Sequence, residues 1–287
     1  MSDAAPIFLL GLQSGGADLL QDALRAHRDT VWPEGALHEV LRPRPAFCAE
    51  TFETLAGYLP TLLRSGDILN PRRAPGPLRA RDRAWIAREL SRATDRNLPA
   101  VRRYKRALEA PGMGFPSGRG RMLVKVMNRN VGLAPELDRI YPGARFVGMV
   151  RDPYDACESL MAQGADPAMA LRLYRDFGEA LLRLEQRGLP LKLVRHEDMI
   201  GDFERTMQAV SDLCSLDRGA AQGSLRGHEG RHRSGAHPDR ICVERPASAP
   251  VRGASPARLA PEMAGLVQQN CAAIMERFGY LAPTAMS

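Results

Sequence analysis

Short runs of apolar residues alternate with longer amphipathic segments along the chain. The apolar runs have the length and continuity of strands that are buried on both faces. They are Ile7–Leu10, Met122–Val126, Arg145–Val150 and Leu191–Val194. Segments with helical periodicity follow them, at Ala17–His27, Leu133–Ile140, Ala168–Arg187 and Glu262–Phe278. This alternation predicts an α/β fold with a doubly wound parallel sheet flanked by helices.

Two segments interrupt the alternation. Residues 41–121 contain helical periodicity broken by several prolines, which predicts an inserted helical cap. Residues 218–261 are rich in Gly, Pro, Arg and Ala and show little periodicity, which predicts a mobile loop. Since α/β folds often reach this length around one core, we expect residues 1–287 to form a single domain.

The composition is that of a folded protein in a reducing compartment. Hydrophobic residues make up 44% of the chain and charged residues 25%, which excludes global disorder. The apolar run Pro6–Leu12 is too short for a membrane span and lacks the flanks of a signal peptide, so we expect a cytoplasmic protein. Five cysteines without a CxxC pair predict buried, reduced thiols.

The positive charge is concentrated in one segment. The chain has a net charge of +7, but Arg72–Arg121 alone carries thirteen Arg and one Lys against four acidic residues, or +10. A partner of this segment should therefore be acidic. The absence of interleaved aromatic residues disfavours nucleic acid. The trio His228, His232 and His237 lacks a carboxylate or Cys at matching spacing, so no metal is expected.

A glycine-rich segment follows the first predicted strand. Gly11-Leu12-Gln13-Ser14-Gly15-Gly16 has the Gly-x4-Gly spacing of a phosphate-binding loop. Ala17 and Asp18 stand where an NTPase loop needs Lys and Ser or Thr, which disfavours ATP or GTP hydrolysis. The loop alone leaves two readings open, namely an anion cradle and a turn that only joins strand to helix.

A second polar cluster follows the strand Arg145–Val150. Arg151, Asp152 and Pro153 end this strand, and Ser159 lies in the predicted helix after it. Open α/β sheets bind ligands at such strand ends, where the Arg fork and the Ser hydroxyl are suited to one phosphate. A structural pair of Arg151 with Asp152 or Asp155 is the alternative.

Four segments together resemble the PAPS-dependent sulfotransferases, especially the bacterial and tyrosylprotein-type branch. Pro6–Leu20 is similar to the family's first-strand motif, and Tyr141–Ser159 is closer still to its second motif. Leu193–Met199 resembles its later VRYEDL segment, and Pro250–Gly253 with the final helix resembles its C-terminal end. The resemblance implies a P-loop-like fold and the donor PAPS (3′-phosphoadenosine 5′-phosphosulfate) as co-substrate, with no metal.

The resemblance also implies roles for individual residues. Arg151 and Ser159 would bind the 3′-phosphate of PAPS, and Lys125 would approach the sulfuryl bridge. The 5′ end would lie against the first loop, at Gly11, Ser14, Gly15, Gly16 and Ala17. Lys125 also has independent interest, because only three of the forty Lys and Arg residues are Lys. A compact ammonium can follow charge onto a leaving oxygen.

The first motif departs from the family pattern. Ser14 replaces the family's basic residue, and Ala17 and Asp18 replace its paired Thr residues, so Asp18 would place a negative charge beside an anion. Glu34 is the candidate base for the acceptor hydroxyl, with His38 and Glu39 as substitutes.

Two functions are the main candidates from the sequence. One is sulfuryl transfer from PAPS to a small hydroxylated acceptor or to tyrosine in an acidic peptide, and the other is a catalytically degenerate homologue that binds a nucleotide or acts as a scaffold. A third, weaker alternative is an altered transferase that uses another phosphorylated donor. The oligomeric state is not determined by the sequence.

Overall fold

The structure is a computed structural model of the full chain. It describes residues 5–42, 63–64, 66–69, 77–108, 120–216 and 259–280. Most of the predicted loop at 218–261 lies outside the described residues, as do the segment Pro250–Gly253 and the His228, His232 and His237 trio.

A five-stranded parallel sheet forms the centre of the protein. Its strands are β1 (Ile7–Gly11), β2 (Thr30–Val31), β3 (Arg121–Met127), β4 (Arg145–Val150) and β5 (Leu191–Arg195). They lie in the order β2-β3-β1-β4-β5, and every recorded pairing is parallel. The predicted α/β architecture is therefore confirmed, although the two-residue strand β2 was not predicted.

Helices cover the sheet. Those before β4 include α1 (Ala17–Ala26), α2 (Leu37–Leu41), α3 (Ala80–Leu108), a 3-10 turn (Asn128–Leu133) and α4 (Ala134–Ile140). Those after β4 are α5 (Pro153–Ala162), α6 (Pro167–Gln186), α7 (His196–Gly201), α8 (Phe203–Cys214) and α9 (Pro261–Arg277). The predicted helices are present with ends shifted by one residue, and α2, α7 and α8 were not predicted. None of the helices in the described ranges is long and apolar enough to cross a membrane.

Successive residues of β1 point into two separate cores, because side chains alternate across a strand. Phe8 and Leu10 pack in the core that also contains apolar residues of α5, α6 and α9. Ile7 and Leu9 pack in the other core, against α1 and α8. Both faces of β1 are fully buried, as the continuous apolar run predicts.

The strand order creates a crevice beside β1. The chain moves from β1 to β2 and β3 on one side and then to β4 and β5 on the other. Helix α1, after β1, belongs to one core, and α5, after β4, belongs to the opposite core. The connections at the ends of β1 and β4 therefore diverge, and such a point is where open α/β sheets bind ligands.

A buried lysine attaches α3 to the turn that leads into β2. The Lys105 ammonium donates hydrogen bonds to the carbonyls of His27 (2.9 Å), Arg28 (2.6 Å) and Thr30. The side-chain amide of Asn97, also on α3, donates to the Trp32 carbonyl at 2.9 Å. Helix α3 therefore holds the chain on both sides of β2.

The cysteines of the described segments are buried and reduced. Cys157, Cys214 and Cys271 are free thiols. Burial raises the pKa of each to about 12, so these thiols are protonated and unreactive. Cys48 and Cys242 lie outside the described residues.

Candidate functional site

The connection from β1 to α1 is a tight loop that requires glycine at two positions. A Cβ atom on Gly11 would lie 2.5 Å from the Cβ of Ala17, so only glycine permits this approach of strand and helix. Gly16 precedes α1 with a φ of 82°, and a Cβ there would lie 2.1 Å from Cδ2 of His196. The Gly15 amide donates to the Leu12 carbonyl at 3.0 Å. Gly16 caps α1 without a side-chain hydrogen bond.

Arg151, at the end of β4, reaches this loop. Its Nη1 atom donates a hydrogen bond to the Ser14 carbonyl at 3.0 Å. Arg151 also forms the structural ion pair with Asp155 that the sequence left open, since Nη2 lies 3.8 Å from an Asp155 oxygen, a distance too long for a hydrogen bond. Within the described segments, Arg151 Nε and Ser14 Oγ are buried and have no hydrogen-bond partner. The ends of β1 and β4 therefore converge, with donor groups that the protein leaves unsatisfied.

Helix α5 carries Ser159 and begins at a well-defined cap. The Asp152 carboxylate accepts a hydrogen bond from the Tyr154 amide at 2.8 Å, and Pro153 occupies the first helical position. Ser159 is half-buried in the second turn of this helix. Its predicted contact with a phosphate remains a prediction.

Lys125 contacts Asp18, which lies in the first turn of α1. Lys125 is opposite Leu9 in the sheet register, two residues before the end of β3. Its ammonium donates to Asp18 Oδ1, and the Lys125 side chain is 12% exposed against 73% for Asp18. The unusual acid of the first motif is therefore the ion-pair partner of the candidate catalytic lysine.

The candidate bases lie just after β2, with Glu34 before α2 and with His38 and Glu39 on α2. Glu34 is exposed on the bend that follows Trp32 and Pro33. Glu39 accepts a hydrogen bond from the Ala36 amide at 2.8 Å and thereby caps α2. Glu39 is exposed like Glu34, but its carboxylate is engaged in this structural contact. β2 is separated from β1 by β3, so Glu34 is not one of the residues that the sheet brings to the loop.

Sequence reasoning did not single out several residues that support the site. The backbone amide of Gln13 donates to Asn128 Oδ1 at 2.8 Å, and its side-chain Nε2 donates to Gln163 Oε1 at 3.1 Å. The Tyr174 hydroxyl donates to the Arg151 carbonyl at 2.8 Å. Glu197 accepts from the Asp152 amide at 3.1 Å. Glu197 lies within the VRYEDL-like segment, which is a usable signal, whereas Tyr174 has none.

The carboxyl group of Asp152 is perturbed by its surroundings. Its pKa is raised to about 6, mainly by burial and to a smaller extent by the neighbouring carboxylates of Asp155 and Glu197, against the opposing hydrogen bond from the Tyr154 amide. Arg151 and Arg195 are the cations beside these carboxylates, paired with Asp155 and Glu197 respectively.

Comparison with known proteins assigns the family. The sulfotransferase family model matches residues 6–219. The chain belongs to the sulfotransferase family.

Solved structures agree with the fold. The sulfotransferase domain of the Synechococcus PCC 7002 olefin synthase is 16% identical, with a TM-score of 0.52 over 99% of this chain and 98% of that one. A sulfotransferase domain from the curacin biosynthetic pathway is 14% identical, with a TM-score of 0.53 over 98% of this chain and 99% of that one. Identities this low establish a shared fold only. No curated protein gave a significant match.

Proposed function

We propose that the protein transfers a sulfuryl group from PAPS to a hydroxyl or phenol acceptor. Family membership supports sulfuryl transfer in general. The observation that carries the donor assignment is the contact of Arg151 with Ser14 across the β1–β4 crevice. Arg151 Nε and Ser14 Oγ are both buried without partners in the described part of the chain. Buried polar groups normally have partners, and phosphate oxygens fit both of these.

Each candidate residue has a role in the proposed reaction. PAPS supplies the sulfuryl group, which moves to the acceptor oxygen as the bond between sulfur and the 5′-phosphate oxygen breaks. Amides of the Gly11–Ala17 loop other than those of Gln13 and Gly15, which already have partners, hold the 5′ end, and Arg151 and Ser159 hold the 3′-phosphate. Lys125 offsets the negative charge on the departing oxygen once it leaves Asp18. Glu34 takes the acceptor proton. No step requires a metal ion.

A non-catalytic nucleotide-binding module is the second candidate. The observation that favours it is the ion pair of Lys125 with Asp18, which occupies the ammonium that transfer requires. In this alternative, Arg151 and Ser159 still bind a 3′-phosphorylated nucleotide, but no group stabilises the leaving oxygen.

The exposed arginines of α3 support an acidic acceptor. Arg88, Arg92, Arg96, Arg103 and Arg106 are exposed on this helix. Their spacings of three, four and seven residues place them along one face. Helix α3 also contacts the segment leading to Glu34, through Asn97 and the Trp32 carbonyl. We propose that this face attracts acidic peptides that carry a tyrosine. Tyrosine peptides with acidic and with neutral flanks, compared at low and high salt, test this assignment.

The buried, free thiols support a reducing compartment. We propose a cytoplasmic location on this basis. Microscopy of a tagged protein in a cell that expresses it tests the location, and an extracytoplasmic signal would contradict it.

Titration with PAPS and with the desulfated nucleotide PAP tests the proposed function. A ligand at 100 times its dissociation constant should stabilise the fold by about 2.7 kcal/mol. Binding of both nucleotides, with sulfate transfer to a phenol, supports the enzyme. Binding without transfer supports the non-catalytic nucleotide-binding module. Absence of any stabilisation contradicts both. Arg151→Ala is the matched control, since it removes the proposed phosphate contact.

A further inference from the structure

The peptide group between Arg151 and Asp152 is held by two side chains from distant parts of the chain. Its carbonyl, that of Arg151, accepts a hydrogen bond from the Tyr174 hydroxyl at 2.8 Å. Its amide, that of Asp152, donates to Glu197 Oε1 at 3.1 Å. The pairing of β4 with β5 ends at Val150 and Arg195, so this peptide lies just beyond the sheet. Beyond the end of the strand pairing, side chains rather than backbone groups form the hydrogen bonds to this peptide.

Both of these side chains are themselves fixed in place. Tyr174 is 2% exposed on α6, and burial raises the pKa of its hydroxyl well above the usual range, so it remains a hydrogen-bond donor. Glu197 lies on α7, and its Oε2 atom accepts from the Tyr280 hydroxyl at 2.7 Å. The Tyr280 ring is buried beneath the guanidinium of Arg195, 4.5 Å from the ring centre. The carboxylate therefore has defined partners on both oxygens.

Holding this peptide fixes ψ of Arg151 and anchors its Cα, from which the guanidinium extends, at the point where the strand pairing ends. Nη1 meets the Ser14 carbonyl at 3.0 Å, so a small rotation breaks the link between the two strand ends. Groups that orient binding residues in this way typically affect affinity by about 10- to 100-fold at metal sites.

We propose that Tyr174 and Glu197, with Glu197 supported by Tyr280, are positioning residues that aim Arg151 at the 3′-phosphate of the donor. The inference rests on the proposed function, in which Arg151 binds that phosphate. By this inference, nucleotide recognition also depends on α6, on α7 and on Tyr280, which follows α9.

The test compares two nucleotides that differ only in the 3′-phosphate. PAP carries this phosphate and adenosine 5′-phosphate lacks it. The dissociation constant of adenosine 5′-phosphate divided by that of PAP therefore measures what the contact of Arg151 with the 3′-phosphate contributes. Calorimetry on Tyr174→Phe and Glu197→Ala should show this ratio falling by about tenfold, equivalent to about 1.4 kcal/mol. Affinity for adenosine 5′-phosphate should stay within about twofold. Glu197→Gln retains one acceptor oxygen and should show a smaller loss than Glu197→Ala.

Two variants elsewhere serve as matched controls. Tyr141→Phe removes a buried hydroxyl that contacts the Ala87 carbonyl at 3.4 Å. Glu136→Gln alters a buried carboxylate that pairs with Arg83 and Arg139. Both should leave the nucleotide ratio unchanged, even where they lower the melting temperature.

The outcomes separate the inference from the proposed function. A reduced ratio in Tyr174→Phe and Glu197→Ala supports the positioning role. Equal weakening of both nucleotides, or an unchanged ratio while Arg151→Ala reduces it, overturns the inference alone. Failure of the parent protein to prefer PAP, with no effect of Arg151→Ala, overturns the proposed role of Arg151 and the inference with it.

Discussion

The ammonium of Lys125, on β3, is bound to the carboxylate of Asp18, in the first turn of α1. Asp18 is the residue that departs most from the family pattern, and Lys125 is the residue that the proposed chemistry most requires. The pair connects two observations that looked independent in the sequence. It also means that Asp18 is not an uncompensated charge beside the loop.

Removing the charge of Asp18 should strengthen nucleotide binding. Asp18→Asn eliminates repulsion of the donor phosphates and frees Lys125 to contact them. Because Asp18 is 73% exposed, solvent screens the effect, and we expect PAP affinity to rise by about three- to tenfold. The gain should shrink at high salt. Calorimetry measures both.

The control for this change is Asp22→Asn on the same helix. Asp22 lies 3.8 Å from Arg25, so it has a cationic partner of its own, as Asp18 does. PAP affinity should change little in this variant. Weaker binding in Asp18→Asn would show that the ion pair supports the loop rather than opposing the ligand.

Asp152 should make stability depend on pH. Its pKa is raised from 3.8 to about 6, mainly by burial, so the folded state binds this proton more tightly than the unfolded state. The free energy of unfolding from this group therefore falls as pH rises from about 4 to about 6. Asp152→Asn retains a cap but cannot ionise. The free energy of unfolding of this variant, relative to that of the parent, should increase by about 1–2 kcal/mol from low to neutral pH.

Urea unfolding at pH 4, 6 and 8 measures the effect. Asp166→Asn provides the control, because Asp166 caps α6 through the Met169 amide at 2.8 Å and undergoes the same chemical exchange. A stability difference between Asp152→Asn and the parent that is constant across this range would contradict the prediction.

Lys105→Met should destabilise the fold. Methionine preserves most of the buried volume but leaves the carbonyls of His27, Arg28 and Thr30 without the ammonium that they share. The His27 carbonyl keeps the Thr30 hydroxyl and amide as donors, so two acceptors lose their partner; at about 1–3 kcal/mol each, we expect a total loss of about 2–6 kcal/mol. Arg106→Met, at the exposed neighbouring position, should change stability by less than about 0.5 kcal/mol. Similar values for the two variants in chemical denaturation would refute the structural role of Lys105.

Gly16→Ala should be more costly than the same change at an open position. Gly16 and Gly164 both have positive φ, at 82° and 94°, but only Gly16 has a neighbour within contact distance, namely His196. Gly164→Ala therefore measures the backbone cost alone, roughly 1–2 kcal/mol. Gly16→Ala should add about 1–3 kcal/mol of overlap.

A second substitution separates the two costs. His196→Ala in the Gly16→Ala background should recover the overlap and leave the backbone cost. Thermal and urea unfolding of the single and double variants gives the coupling between the two positions. Additive effects would mean that His196 does not limit the space at Gly16.

The sheet was predictable because β1 and β4 are continuous apolar runs, and such runs are typical of strands with two buried faces. β2 escaped prediction since two residues, Thr30 and Val31, are too few to show a period. Helix α8 was overlooked although Met207, Val210 and Cys214 have helical spacing and lie buried on one face.

The convergence of the Gly11–Gly16 loop and Arg151 followed from the sequence, because parallel strands end at the same edge of a sheet. The contact of Asp18 with Lys125 did not, since it joins a helix to a strand that lies more than a hundred residues later. Tyr174 was also hidden. Its place on the apolar face of α6 identifies it as a core residue, and only its hydroxyl contact indicates anything more.

The ammonium of Lys105 has a consequence for how acceptor preference can be redesigned. Lys105 links α3 to the turn into β2 through hydrogen bonds, and the bend that carries Glu34 follows this turn within a few residues. The exposed positions of α3 can therefore be varied as a library, with Lys105 and Asn97 held constant, while the proposed nucleotide side on β1 and β4 is left intact. Under the proposed function, acceptor selectivity and donor use could then be engineered separately.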